Sequence, residues 1–108
     1  MRIFDVTASG SRGPVWGLES EDLNATLLAW RPGEGTPEYV NDEADVLVLV
    51  VDGSGEVDAD GERAQLRAGQ LVVVPKGARR RIDAGPNGIR YVTVHRRRGG
   101  LGIAPPPR

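Results

Sequence analysis

Apolar residues in this chain occur in short runs that glycine and proline separate, rather than in long amphipathic stretches. The clearest run is residues 46–51, in which six consecutive residues are valine or leucine. A continuous apolar run of strand length predicts a β-strand that is buried on both faces. Residues 71–74 and 89–95 predict two further strands. Many short strands with turn residues about every 8–12 positions predict an all-β sandwich or barrel with little or no helix.

Glycine-containing turns predict how these strands are connected. The segments Asp52-Gly-Ser-Gly55 and Gly85-Pro-Asn-Gly88 are each predicted as a turn that separates two strands. Asp60-Gly61 predicts a two-residue hairpin, because aspartate and glycine tolerate the positive φ angles of type I′ turns. We therefore expect a returning strand at residues 62–66 and a short strand at residues 81–84.

The N-terminal part is less regular. Residues 2–6 predict a short opening strand at a sheet edge, and residues 8–17 predict a loop. Residues 24–30 are compatible with a helix capped by Ser20, because their apolar positions have helical spacing. They are also compatible with a strand that ends at the following Arg31-Pro-Gly turn, and we favour the strand.

The chain has 108 residues, which predicts one domain over residues 1–98 and an extended or disordered proline-rich tail over residues 99–108. It contains no cysteine, so disulfide, thiolate and cysteine-ligated zinc chemistry are excluded. Met1 is followed by a charged segment rather than an apolar signal core, and no apolar run approaches the ~20 residues of a membrane span. We therefore expect a cytoplasmic protein without a membrane partner.

Charged residues are balanced overall but divided along the chain. The net charge is −1, with residues 1–54 carrying −7 and residues 55–108 carrying +6. Two triplets, Arg79-Arg80-Arg81 and Arg96-Arg97-Arg98, could form a phosphate-binding patch. Only five residues are aromatic and none adjoins a triplet, so partners for base stacking are scarce. We expect a solvated arginine rim paired with the acidic half, and we do not expect nucleic acid as a partner.

One block of spaced residues resembles a known family. Gly69 is followed after five residues by Pro75, and Gly77 and Arg80 complete the pattern. This spacing is similar to the second motif of the cupins, a family of small jelly-roll β-barrels, and the resemblance covers residues 24–95. Gly77 suits the tight turn after Pro75, because glycine readily takes a positive φ angle. The resemblance implies a single-domain cupin-type jelly-roll β-barrel.

The positions at which cupins carry metal ligands are altered here. The family has two histidines, a glutamate and a third histidine at these positions. This chain has, in the same order, Tyr39, Asn41, Val46 and Arg80, with Asp45 one residue from the glutamate position. A phenol is protonated near neutral pH, an amide oxygen is a weak ligand, and a guanidinium offers no lone pair and repels a cation. The resemblance therefore implies a degenerate metal site, and we expect no metal and no cofactor.

The altered site could still bind a ligand. We expect Arg80 to hold a small anionic or carbonyl-bearing molecule by bidentate hydrogen bonds, in place of the family's metal. The pocket would be framed by Trp30, Tyr39, Asn41, Asp45 and Arg80. Alternatively, Arg80 pairs with Asp45, Glu43 or Glu38 and only fills a site that has lost its function.

His95 is the only histidine of the chain. Period-two alternation along a strand puts it on the same face as Tyr91 and Thr93. If that face lines the barrel, His95 is a candidate general base. Otherwise it is a structural residue at the rim, beside Arg96.

Two functions are compatible with these residues. The first is a metal-free cupin that binds a small molecule and is non-catalytic or regulatory. The second is a metal-independent isomerase or lyase, in which Tyr39 or His95 transfers a proton and Arg80 holds the substrate anion. We also expect a homodimer, which is common in the family, because the two-sided burial predicted for residues 46–51 needs more apolar cover than one small barrel supplies.

Overall fold

Seven β-strands form the part of the chain that the structure describes. The structure is a computed structural model that describes residues 1–7 and 13–97, and no helix occurs among them, so none there could cross a membrane. In chain order the strands are β1 (Gly13–Glu19), β2 (Leu23–Trp30), β3 (Tyr39–Val40), β4 (Val46–Ala59), β5 (Glu62–Arg67), β6 (Leu71–Val74) and β7 (Arg79–Arg96). The prediction of an all-β fold is confirmed.

The two long strands β4 and β7 lie at the centre of one antiparallel sheet. The strand order is β1-β2-β7-β4-β5, with β3 paired to β7 and β6 paired to β4. The pairing of β4 with β7 runs from Val46 opposite His95 to Ala59 opposite Arg80. A single strand, β7, therefore carries Arg80 near its beginning and His95 near its end.

The predicted turns at residues 52–55 and 85–88 are wrong, because both segments remain within the long strands. β4 and β7 continue through them, and the register of β4 shifts on either side of Gly53. Glycine inside a strand often marks a bulge or a close approach of two backbones. Gly53 has a φ angle of 77°, and a Cβ atom there would collide with the carbonyl group of Gly88 on β7.

The N-terminal part also differs from the prediction. Residues 2–6 form no strand, and the predicted loop at residues 8–17 includes the start of β1; residues 8–12 lie outside the described part. Trp16 of β1 packs on Phe4, with ring centroids 5.0 Å apart. The strand predicted for residues 24–30 is confirmed as β2, whose backbone finds ladder partners on both β1 and β7.

The inner face of the sheet carries the apolar core. On β4 the inward residues are valines, and Val46, Val48 and Val50 are fully buried. They belong to a cluster that also contains Val57, Leu66, Ile82, Ile89 and Tyr91.

The outer face of β4 is exposed, contrary to the two-sided burial predicted for residues 46–51. Leu47 and Leu49 are each 40% exposed and alternate with the buried valines. Their neighbours on β6, Leu71 and Val73, are 60% and 58% exposed. Among the described residues, the apolar run therefore has a core on its inner side and an exposed sheet face on its outer side.

Two other turn predictions are confirmed. Asp60 and Gly61 have φ angles of 52° and 88° and connect β4 to β5. Gly77 has a φ angle of 84° in the turn between β6 and β7, and its amide donates a 2.8 Å hydrogen bond to the carbonyl oxygen of Asn41. The predicted tail at residues 99–108 lies outside the described residues.

Candidate ligand-binding cavity

A cavity of about 470 Å³ lies against the inner face of β2 and β7. Opposed residues of the two strands form one wall, with Leu28 opposite Tyr91 and Thr26 opposite Thr93. His95 lines the cavity further along β7. Inward residues of a strand recur about every 6.8 Å, so Tyr91 and His95 are separated by about 13 Å along β7. The cavity is therefore elongated in the direction of the strands.

Arg80 lies at the Tyr91 end of this cavity. It pairs with Tyr39 of β3, and its guanidinium carbon is 4.7 Å from the centroid of the Tyr39 ring. Burial lowers the pKa of Arg80, while the nearby phenols of Tyr39 and Tyr91 oppose this shift. The guanidinium remains protonated near neutral pH, because its ordinary pKa is far above that range. Arg80 therefore brings a fixed positive charge to a cavity that is lined largely by apolar and aromatic side chains.

Arg80 forms no ion pair with the described residues. The carboxylate of Glu38 lies 4.0 Å from Arg79 instead, and both side chains of that pair are 63% exposed. The carboxylate of Asp45 accepts a hydrogen bond from the backbone amide of Lys76. A partly buried charge without a partner of opposite sign is unfavourable, and a bound anion would relieve that desolvation.

Trp30 and Tyr91 form a hydrogen-bonded pair in the cavity wall. The indole Nε1–H of Trp30 donates to the hydroxyl oxygen of Tyr91 at 3.0 Å. Burial raises the pKa of Tyr91 to about 12, although the Trp30 hydrogen bond and the charge of Arg80 act in the opposite direction. Because Trp30 is the donor in this bond, the Tyr91 hydroxyl still has its own proton to donate to a ligand.

His95 has a defined tautomer when it is neutral. Its Nδ1 atom lies 2.8 Å from the carbonyl oxygen of Arg96. A carbonyl can only accept, so Nδ1 carries the proton and Nε2 is the basic nitrogen. The prediction that His95 shares the inner face with Tyr91 and Thr93 is confirmed, since all three line the cavity.

The structure does not bring Asn41 and Asp45 to the cavity lining, although it brings Trp30, Tyr39, Arg80 and His95 there. The Oδ1 atom of Asn41 accepts hydrogen bonds from the amides of Glu43 and Ala44 at 2.9 and 3.0 Å, and the residue is only 2% exposed. The carboxylate of Asp45 bonds the Lys76 amide at 2.9 Å and so joins two turns. Both side chains satisfy backbone amides of loops, which is a common use of Asn and Asp.

Eight of the twelve residues that line the cavity were not predicted as ligand contacts from the sequence, among them Thr26, Leu28 and Tyr91. Alternation back from Trp30 puts Leu28 and Thr26 on the same face of β2. That signal is present in residues 24–30, but the register of β2 against β7 depends on contacts that are distant in sequence.

The side chains present do not fit a divalent transition metal. Among residues 1–7 and 13–97, no group of three or more His, Cys, Asp and Glu side chains could hold a metal ion. The cavity has one imidazole, and the charged side chain at its opposite end is the guanidinium of Arg80, which repels a cation and has no lone pair to donate.

The antiparallel fold and its inner cavity are those of a cupin. The family model of the cupin domain matches residues 26–94, and the chain belongs to this family. The suspected relationship and the all-β jelly-roll fold are therefore confirmed.

Particular relatives show how the chain compares with other proteins. The polyketide synthase CurC of Streptomyces cyaneus is 42% identical over 56 residues, which are 52% of this chain and 36% of CurC. The match thus spans little more than a third of that protein's length. The solved structure of TT1209 from Thermus thermophilus is 23% identical with a TM-score of 0.78, covering 92% of this chain and all of the other. A conserved protein with a double-stranded β-helix domain from Klebsiella pneumoniae is 22% identical with a TM-score of 0.77, covering 89% and 90%. The two structural likenesses show the fold.

Proposed function

We propose that this cupin binds a small anionic or carbonyl-bearing molecule in the elongated cavity, without a metal ion. The observation that carries the proposal is the Arg80 guanidinium, which is half-buried in the cavity and has no carboxylate partner among the described residues. A guanidinium binds a carboxylate through two parallel charge-assisted hydrogen bonds, about twice as strong as neutral ones. The Tyr91 hydroxyl, close enough to interact with the Arg80 charge, can donate a further bond.

The shape of the cavity narrows the ligand class. About 13 Å of β7 separates Tyr91 from His95, and the opposed residues Thr26 and Thr93 lie between them. Leu28, opposite Tyr91, and Ile82 contribute apolar surface to the lining. The volume of about 470 Å³ is within the range of small-molecule sites. The best-fitting ligand is an elongated, mostly apolar molecule with a carboxylate or carbonyl at one end and a second hydrogen-bonding group at the other. The partial likeness to a polyketide synthase supports the carbonyl-bearing character of the ligand, because polyketides contain carbonyl groups.

The proposal is tested by titrating aryl and acyl carboxylates of graded length into the protein, alongside their neutral amides. Thermal shift serves as the screen and calorimetry gives the affinity. We expect the longer carboxylates to bind and Arg80→Ala to weaken them about 10- to 100-fold, as the loss of a charge-assisted pair implies.

The matched control is Arg79→Ala. Arg79 is the preceding residue on β7, is exposed, and does not line this cavity. Its substitution should leave the affinity unchanged. Equal binding of carboxylates and amides, or equal affinity of Arg80→Ala and the parent protein, would refute the assigned role of Arg80.

A second candidate function, proton transfer, is favoured by the geometry of His95. With Nδ1 held by the Arg96 carbonyl, Nε2 is available to remove a proton from a carbon next to a carbonyl of the ligand. The proton passes to Nε2, and the electron pair of the C–H bond forms the enolate. Because Arg80 lies at the other end of the cavity, it would hold a distant carboxylate rather than that enolate.

Hydrogen exchange separates the two candidates. A carboxylate that binds the protein and carries a ketone at its far end is incubated in D₂O, and deuterium incorporation next to that ketone is followed by NMR. Catalysis by His95 predicts exchange above the buffer rate that His95→Gln abolishes without loss of affinity. Binding with no acceleration of exchange would leave the first function and exclude the second for that ligand.

A further inference from the structure

A cavity of about 460 Å³ adjoins the ligand-binding cavity at its His95 end. It lies over β1 and β2, whereas the ligand-binding cavity lies against β2 and β7. Thr26 and His95 line both of them. We call the cavity over β1 the second cavity. Because the two share these side chains, a ligand held in the first can extend into the second.

The register of the strands puts both cavities on the inner face of the sheet. Gly17 of β1 lies opposite Thr26 of β2. Asn24 of β2 lies between Glu19 of β1 and His95 of β7. Residues directly opposite each other in antiparallel strands share a face. A Cβ atom at Gly17 would lie 3.7 Å from Oγ1 of Thr26, so the missing side chain of Gly17 leaves room in the second cavity.

Asn24 supplies the observation that points to a ligand in the second cavity. It lines this cavity, and its Oδ1 atom is enclosed without a hydrogen-bond partner among the described residues. An enclosed acceptor without a donor is unfavourable, because its hydrogen bonds to water have been lost. The side-chain amide turns easily about χ2, whose energy minimum is broad, and can direct Oδ1 towards a bound group. A ligand that donates a hydrogen bond there would relieve this cost.

The side chains around Asn24 indicate what kind of group would bind. His95, directly opposite, offers Nε2 as a second acceptor, because its Nδ1–H donates to the Arg96 carbonyl. The Cβ atoms of opposed residues are about 5 Å apart, so one small group can reach both acceptors. Arg2 and Glu19 also line the second cavity, and their opposite charges favour neither an anion nor a cation. A neutral group with two N–H donors, such as a primary carboxamide, fits this arrangement.

We propose that the second cavity binds the far end of the ligand and that Asn24 selects a neutral hydrogen-bond donor there. This inference rests on the proposed function, in which Arg80 holds the carboxylate at the opposite end. It narrows the ligand to a long carboxylate with an apolar middle and a terminal amide. Only a chain that passes His95 reaches the second cavity, so a shorter carboxylate should bind without using it.

The first test compares carboxylates that differ only in the far-end group, by calorimetry on the full chain. Each carries either a carboxamide or a methyl ketone, which has a similar shape but no N–H donor, on a chain that ends before His95 or passes it. We expect the long carboxamide to bind about tenfold more tightly than the long ketone, and the short pair to bind equally. Asn24→Leu should remove the preference, whereas Asn24→Asp, which keeps an acceptor, should retain it.

The matched control for Asn24→Leu is Asn87→Leu, at an exposed position that lines neither cavity. It should retain the preference for the long carboxamide. A preference of equal size in Asn24→Leu would overturn the role assigned to Asn24.

The second test fills the second cavity without altering the first. Gly17→Val is suitable because a Cβ atom there makes only ordinary contacts and valine is favoured in strands. Its methyl groups should weaken the long ligands about tenfold or more and leave the short ones unchanged. Ala64→Val, at an exposed position of β5, should change neither. Near-UV circular dichroism verifies that Gly17→Val is folded, and Gly17→Ala replaces it if it is not.

The outcomes separate this inference from the proposed function. If no carboxylate binds, or if the short ones bind equally well to Arg80→Ala, the proposed function fails and the inference fails with it. If the short carboxylates depend on Arg80 but the long carboxamide and ketone bind equally, only the inference is overturned. Long ligands that bind Gly17→Val as tightly as the parent protein would overturn it in the same way.

Discussion

At the scale of the residue, the hydroxyl group of Tyr91 connects burial with proton chemistry. It is enclosed beside Arg80, and its pKa rises to about 12 because the ionised phenolate would be poorly solvated there. In the unfolded chain a tyrosine loses its proton near pH 10. Between these two values the folded state binds a proton that the unfolded state has released.

Tyr91 should therefore make stability depend on alkaline pH. The stabilisation is complete below about pH 10 and is lost as the pH rises towards about 12, because the folded pKa is the higher one. Across this interval the free energy of unfolding should fall by roughly 1–3 kcal/mol more in the parent protein than in Tyr91→Phe. Urea unfolding of the parent protein and of Tyr91→Phe at a series of pH values measures the difference. Parallel pH profiles for the parent and Tyr91→Phe would disprove this role.

Asn41 provides a contrasting residue, since its side chain serves the fold rather than the cavity. Asn41→Ala removes the acceptor for two loop amides and should lower the free energy of unfolding by about 1–3 kcal/mol. It should leave the affinity for cavity ligands unchanged. The exposed neighbour Asp42 is the control, and Asp42→Ala should stay within about 0.5 kcal/mol of the parent. A large loss of affinity at unchanged stability in Asn41→Ala would show that Asn41 contacts the ligand.

Of the candidate site residues from the sequence, four line the cavity and two do not. Those that line it are Arg80, Tyr39, Trp30 and His95, and the other two are Asn41 and Asp45. The cupin spacing indicates where a backbone position lies along the barrel, and period two indicates which face a strand residue occupies. Neither determines which hydrogen bond a short polar side chain will form in a loop. Asn41 and Asp45 lie in such loops, and nearby backbone amides compete successfully for their oxygens.

At the scale of the element, the long strands β4 and β7 mark the limit of local prediction. The segment Asp52-Gly-Ser-Gly55 has the composition of a hairpin turn, yet β7 pairs alongside it and the strand continues. The same residue types occur in turns and in bulges, because both need a positive φ angle. Only the partner strand decides between them, and its paired residues lie between 29 (Gly55 to Ala84) and 38 (Asp52 to Arg90) positions away in the chain.

Gly53 should be the more sensitive of two glycines with similar backbone angles. Gly53 and Gly77 have φ angles of 77° and 84°, but a Cβ atom would meet the Gly88 carbonyl only at Gly53. Gly77→Ala should cost about 1–2 kcal/mol of stability from its backbone angle alone. Gly53→Ala should cost about 3 kcal/mol or more, because the two long strands must also separate. Chemical denaturation of both variants checks the order, which equal losses would contradict.

At the scale of the whole molecule, the fold is that of the cupin family. The positions that the resemblance equates with metal ligands, however, carry Tyr39, Asn41, Val46 and Arg80. The protein should therefore be indifferent to metal. Chelator should leave its melting temperature and its affinity for cavity ligands unchanged, and added Zn²⁺ or Mn²⁺ should give no stabilisation, because only a ligand that binds the folded state raises stability. Thermal unfolding with metal analysis of the untreated protein is the measurement. One tightly held metal ion per chain, or a clear fall in melting temperature with chelator, would contradict it.

The whole molecule also shows why burial on both faces of residues 46–51 could not be predicted from the apolar pattern. The prediction that both faces of this strand are buried is wrong, because its outer leucines are exposed while its inner valines are buried among the described residues. The sequence shows that a side chain is apolar, but it does not show which residues pack against that side chain in the folded protein. The apolar character of the exposed Leu47 and Leu49 is not explained by contacts among residues 1–7 and 13–97.

The arginine at position 80 also changes what the molecule depends on. An imidazole-held cation must be acquired from the surroundings and is lost in acid, when the imidazoles take up protons. A guanidinium is part of the polypeptide and keeps its charge in any compartment that a cell maintains. A barrel that binds its ligand through Arg80, as proposed above, would therefore be ready as soon as it has folded, however scarce transition metals are.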